Sequence, residues 1–262
     1  MWVSKTKHPA GVEACRVTES SDPTRGGSWC FQVLADDGKQ YWCKTFHTPQ
    51  GKRAPVTEQI VARLAALLGA PVCEAQLVRV PNELPNWPEC LEPRSKHLYG
   101  PWIHGSLTID DLCQAEAQTL DPEDRTHDDN ARGHAGIYAI WDWLQGGEGG
   151  WLVRKSDRKY FSHDHAWWLP GAGHHEWHVR FLVADRDLIG ALDFPPDGLD
   201  PNELERLATQ LNHLRLDEIV EALCGLPQDW PVLELELDAV AEFAYGRREP
   251  VAQRLRDLTS RI

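Results

Sequence analysis

A chain of 262 residues that is 42% hydrophobic can bury a substantial core, as one large domain or two small lobes, and this excludes a disordered segment. Its net charge of −13 with histidine neutral disfavours general nucleic-acid binding, which needs a basic surface against the phosphate backbone. No apolar run reaches the ~20 residues of a membrane span, and the opening residues, Met1 to His8, lack the apolar stretch of a signal peptide.

In chain order, residues 13–46 are expected to form a small antiparallel sheet. Residues 15–19 form a candidate strand, and Asp22 to Ser28 is a turn-rich connection containing Gly26 and Gly27. Residues 29–34 form the next strand. Asp36-Asp37-Gly38 is a hairpin signal, because Asp-Gly supplies the positive φ of a tight turn. The return strand covers 39–46 and carries Tyr41-Trp42-Cys43-Lys44. Ile60, Val61, Leu64, Ala65, Leu67 and Leu68 then lie on one stripe of a helix over 57–68, with Thr57 as N-cap, Glu58 near the start and Gly69 as the stop. A strand is expected over 72–80.

Residues 81–110, rich in Pro, Trp and charge, read as a loop-rich linker, and Asp110-Asp111 as a helix opening. Residues 121–133 read as a polar surface loop. Ile137, Ile140, Trp141 and Leu144 share a helix face that ends at Gln145-Gly-Gly-Glu148-Gly-Gly150. Two short strands, 151–154 and 158–162, flank a turn and run into His163-Asp164-His165. Beyond 180 the chain is helical: one stripe through Leu204 to Leu214, another over 216–223, and a last run from Val240 to Leu258 that Pro250 should kink or split. The layout predicts an α+β fold of two unequal lobes. A small β-rich N-lobe would occupy 1–80, and a mainly helical C-lobe 111–262.

The seven cysteines are odd in number and widely spaced with no C-x-x-C pair, which points to free thiols in a reducing cytoplasm. His174-His175-Glu176-Trp177-His178 has one i, i+4 pair, but the glutamate does not follow the first histidine and glycines surround it, so a solvated loop is favoured over zinc. Residues 121–129 lack the glycine and closing glutamate of a calcium loop. No nucleophile elbow is present.

A strand lysine followed by an acid on the next helix is how kinase-like proteins hold nucleotide phosphates. Such a site needs a lid, a lysine, an acid to anchor it and a carboxylate for metal. Gly26-Gly27-Ser28, Lys44, Glu58 and Asp164 supply these in that order. Singly, each has a plainer reading: a hairpin turn, an exposed strand lysine, a helix-dipole glutamate, a turn aspartate.

Those residues, with the Asp-Gly hairpin, Gly69-Ala-Pro-Val72, Ser162-His-Asp164-His165 and the C-terminal Leu226-Pro-Gln-Asp-Trp230 and Gly246-Arg-Arg248, resemble the compact HipA-like kinases. The resemblance implies a two-lobed protein-kinase-like fold, ATP with Mg²⁺ and phosphoryl transfer. It would make Lys44 the phosphate lysine, Glu58 its partner and Asp164 the metal aspartate. Asp142-Trp143 match the helix before the family's catalytic loop, but the Asn-x-Asp-Arg that should follow is replaced by 145–151, where Glu148 is the one carboxylate. Three readings follow: nucleotide binding with impaired transfer, an active serine/threonine-type phosphotransferase using Glu148, or a non-catalytic protein-interaction module. Nucleotide is the partner expected of the first two, and a protein substrate or partner is open to all three.

Overall fold

Strand β1 (Val12–Ser20) pairs antiparallel with β2 (Phe31–Ala35), and β2 with β3 (Gln40–Lys44). The turn between β2 and β3 depends on Gly38, whose φ of 78° is open to glycine at no steric cost. Alternation then sets the faces. Phe31, Val33 and Ala35 of β2 and Tyr41 and Cys43 of β3 point into one buried cluster, and Lys44, next in line, falls on the opposite side. The computed structural model describes residues 2–20, 29–88, 91, 98–115, 129–147, 150–171, 176–188, 196 and 198–260.

Strands β4 (Ala75–Arg79) and β5 (Trp102–Leu107) complete a closed barrel in the order β1-β2-β3-β5-β4. The closing seam is a short parallel pairing of Val12 with Val78 and Glu13 with Arg79. Placing β5 in the barrel corrects the loop-rich reading of 81–110. Ile103 faces the barrel core, and Gly105 lies so close to Val78 that an added Cβ would sit 2.5 Å from its Cγ2. The glycine is thus a packing requirement inside a strand, not a sign of loop.

Helix α1 (Ala54–Leu68) begins three residues before the expected Thr57 cap. Pro55 lies in its first turn, where a missing N–H and a fixed φ cost nothing, so the proline starts the helix instead of preceding it. Gly69, in the left-handed region at φ 67°, ends the helix as expected. Asp110-Asp111 do not open a helix; β6 (Leu112–Ala115) follows and pairs with β7 (Gly150–Arg154), which pairs with β8 (Tyr160–His163). Helix α2 (Asn130–Leu144) starts inside the stretch read as surface loop.

The remaining helices are α3 (Val179–Ala184), α4 (Pro201–His213), α5 (Leu216–Leu223) and α6 (Glu234–Thr259). The second and larger core gathers α1, α2, α4, α5 and α6, so α1 joins the barrel strands β4 and β5 to the helices. Pro250 does not split α6, which runs 26 residues through it. A proline in a helix interior costs about 3 kcal/mol. Val251 and Leu255 beyond it are both buried, at about 1.5–3 kcal/mol each, so packing outweighs the lost hydrogen bond. Among the described residues no helix is long and apolar enough to cross a membrane.

Candidate functional site

Lys44 ends β3 on the face away from the barrel core, only 6% exposed. Its Nζ donates to Glu58 Oε1 at 2.7 Å, to Asp164 Oδ1 at 2.5 Å and to Gln50 Oε1 at 3.2 Å. Four segments meet there: a strand end, the β3–α1 loop, the second turn of α1 and the residue following β8. Glu58 is buried and deeper in the helix than expected, so its partner is the lysine and not the helix dipole.

The electrostatics follow from that geometry. Burial by itself would push Lys44 toward the neutral amine, but the Glu58 and Asp164 carboxylates hold it above the ordinary lysine range. Burial would likewise raise Glu58, yet the Lys44 ammonium and hydrogen bonding from His165 hold it well below the usual carboxylate range. The backbone N–H of His165 donates to Glu58 Oε2 at 3.1 Å, and its Nε2 lies 2.9 Å from Ser162 Oγ. One cation faces two carboxylates, leaving one net negative charge.

Asp164 differs from its partners in two ways. Its side chain is 38% exposed where those of Lys44 and Glu58 are 7% and 5%. Its backbone is left-handed, φ 58°, an uncommon state that clusters at functional positions. Its hydrogen bonds, from Lys44 and from Gln50 Nε2 at 3.3 Å, both end on Oδ1. Among the described residues, Oδ2 accepts none.

A second polar chain runs behind the lysine. Arg63 Nε donates to Gln59 Oε1 at 3.1 Å, and Gln59 Nε2 lies 3.1 Å from Nδ1 of His104, which sits on β5 directly opposite Lys44 of β3. An amide nitrogen can only donate, so His104 accepts at Nδ1 and carries its proton on Nε2, 3.0 Å from Ser106 Oγ. Burial pushes His104 down to about 4, against the opposing charge of Glu58.

The structure thus brings Lys44, Glu58 and Asp164 together. Gly26, Gly27, Ser28 and Glu148 lie outside the described residues, as do His174 and His175. Gln50 and Gln59 escaped the sequence reading, since a glutamine in a loop or helix has no period or spacing to mark it. Asp142 is held elsewhere: Arg247 Nη2 reaches its Oδ1 at 3.1 Å, and Arg254 grips both oxygens at 2.7 and 2.8 Å. Two surface hollows of about 360 and 290 Å³ lie apart from this cluster, one beside Arg79 and Pro101, the other between Pro71 and Lys159. Converging chemistry rather than hollow volume marks the candidate site.

No family model matches the sequence, and no curated protein does either. Among solved structures, the Helicobacter pylori proinflammatory kinase CtkA superposes at a TM-score of 0.59 with 9% identity, covering 96% of this chain and 98% of that one. Two structures of the Golgi casein kinase, one with Mn/ADP bound, give TM-scores of 0.49 and 0.48 at 9% and 11% identity, covering 98% and 97% of this chain and 75% and 74% of theirs. The fold conclusion rests on the CtkA structure, whose score exceeds 0.5. The chain has a kinase-like fold of mixed α and β content.

Proposed function

We propose that the chain binds ATP with Mg²⁺ in a cleft between two lobes, in the manner of HipA-like kinases, and that phosphoryl transfer is impaired. In this reading the smaller lobe is the barrel with α1, extending through Leu107, and the larger lobe is the remainder. The observation that carries the reading is the meeting of Lys44, Glu58 and Asp164, drawn from positions up to 120 residues apart onto one buried ammonium.

Each residue has a definite task. Glu58 fixes the Lys44 ammonium, which neutralises phosphate as a point charge. Asp164 offers its spare oxygen to the metal. That donor suits Mg²⁺, which takes one or two protein carboxylates and completes its shell with phosphate oxygens and water. Among the described residues no three His, Cys, Asp or Glu side chains gather to hold a metal on their own, which fits an ion shared with the nucleotide. When bound, Mg²⁺ supplies positive charge to the phosphate oxygens. The backbone of Gly26-Gly27-Ser28 would close over the phosphates.

The impaired-transfer part rests on the 145–151 stretch, which has no Asn-x-Asp-Arg, and on Asp142, both of whose oxygens are engaged. An active transferase would need Glu148 to accept the hydroxyl proton. The free thiols of Cys15, Cys43, Cys73 and Cys224 support a reducing, cytoplasmic setting.

The test is a thermal melt with and without Mg-ATP. At a hundredfold excess over Kd, ligand contributes about 2.7 kcal/mol, or several degrees for a chain of this size. Absence of any shift would return the chain to the non-catalytic interaction module. Incubation with labelled ATP should then leave wild type, Lys44→Ala and Glu148→Gln equally unlabelled. Label on wild type that Glu148→Gln abolishes would establish the active reading instead.

A further inference from the structure

Between β3 and α1 the chain makes a tightly bonded loop. The N–H of Gly51 donates to Thr48 O at 3.0 Å, that of Ala54 to Gly51 O at 3.2 Å, and that of Gln50 to Thr48 Oγ1 at 3.3 Å. Gly51 has φ 98°, and a Cβ there would lie 2.5 Å from Glu176 Oε1. Glu176 reaches over from the chain beyond Asp164 and accepts the Arg53 N–H at 2.6 Å. The next residue, Trp177, donates from its indole to Thr57 Oγ1 at 3.1 Å, and the Arg53 guanidinium lies 4.6 Å over its ring. The loop is therefore fixed at its far end as well as at the strand.

That loop delivers Gln50 into the cluster, 8% exposed. Its Oε1 accepts from Lys44 and its Nε2 donates to Asp164 Oδ1. The opposite amide orientation would set NH₂ against an ammonium and oxygen against a carboxylate, so the two neighbours define which way it points. Asp164, with 38% of its side chain exposed, is held in place by these hydrogen bonds. Both of its bonds end on Oδ1.

We propose that Gln50 is a positioning residue: through its amide it holds Asp164 Oδ1 toward Lys44 and turns Oδ2 outward as the oxygen that meets the metal ion. This rests on the reading that Asp164 meets Mg²⁺. A glutamine does what neither charged relative can. A glutamate would add a third carboxylate beside the single lysine, and a lysine would compete for Asp164.

The experiment is a Mg²⁺ titration of the melting shift at fixed ATP, with the full chain as wild type and as Gln50→Met, which keeps shape and removes the amide. Gln50→Met should need about fivefold more Mg²⁺ for half the shift, the weight of one modest hydrogen bond. Its melting without ligand should fall by no more than the few degrees a buried hydrogen bond is worth, and its shift with ATP in EDTA should match wild type. Where Gln50→Met does not fold, Gln50→Ala removes the same amide and carries the same expectation. A wild-type Mg²⁺ half-point in the variant overturns the proposal alone, as does a loss of ligand-free stability without a change in that half-point. A wild type that shows no Mg-ATP shift overturns the nucleotide reading and this proposal with it.

Discussion

Among the described residues, two clusters set a carboxylate against a buried cation, at Asp142 and at Asp164, and the two differ in what is left over. At Asp142, on α2, both oxygens are taken by Arg247 and Arg254 of α6, and Arg247 spends its other donors on the carbonyls of Trp143, Arg186 and Leu188. Nothing there is free to meet a ligand, and the group ties α2 to α6. At Asp164 one oxygen is engaged, the other is not, and the side chain reaches solvent. A buried ion pair alone is therefore no mark of function; what sets Asp164 apart is a spare, partly exposed oxygen beside a fixed ammonium.

The largest expected effect separates the two. Asp142→Ala leaves Arg247, 1% exposed, without its carboxylate, where burial already brings the guanidinium down to about 10. Breaking a buried pair from one side costs about 3–5 kcal/mol, which is on the order of 10 °C in melting temperature. Asp164→Ala leaves Lys44 with Glu58 and should shift the ligand-free melt far less, but it should abolish the response to Mg-ATP. Paired melts of the two variants decide it. An Asp142→Ala protein that melts like wild type would erase the contrast.

The next effect concerns the polar chain behind Lys44. His104 has an ordinary value of 6.5 and is pushed by burial to about 4, so between those values the unfolded chain binds a proton that the folded chain does not. Stability therefore falls as pH drops from about 6.5 to about 4 and is unaffected by this group below that. The loss is roughly 3 kcal/mol over the window. Glu58, depressed in the folded state, adds its own loss only below its ordinary value of 4.5. Burial brings His163 down to about 4 as well, so it adds a loss in the same window. Denaturant unfolding between pH 7 and 4.5 should thus slope in wild type and lose roughly half of that slope in His104→Gln. An unchanged slope in the variant would assign the titration to another group.

Much of the Lys44 cluster was legible before the fold was known, because a strand lysine, a helical acid and a post-strand aspartate recur in kinase-like order. Other features were hidden for physical reasons. Gln50 acts from a loop, where no periodicity exists. The start of α1 was misplaced because Pro55 was read as loop when the first turn of a helix accepts it. β5 was hidden by the prolines and tryptophans beside it. The partners of Asp142 lie 105 and 112 residues away, so the sequence could offer it only as part of a catalytic-loop helix.

The smallest effect tests what the glycines after Asp142 are for. By resemblance, 145–151 is a catalytic loop that has lost its aspartate and asparagine; by packing, three of its glycines, Gly146, Gly147 and Gly150, have a present task. A Cβ on Gly146 would sit 2.5 Å from Trp141 Cδ2, and one on Gly147 would run into the carbonyl oxygen of Trp167. Trp141 is buried and stacks edge-on with Trp168 at 5.2 Å, so neither ring nor backbone can give way freely. Gly147→Ala should therefore lower stability by about 1–3 kcal/mol, the usual range for overpacking. Because this strain falls on the Trp167 carbonyl, next to the buried Trp168, and not on Lys44 or Asp164 themselves, the Mg²⁺ half-point of the ATP shift should stay at the wild-type value. An alanine tolerated at no cost would mean that this stretch is free to vary. A change in the Mg²⁺ half-point would mean that it bears on the metal aspartate, and the separation between the two acid clusters would narrow.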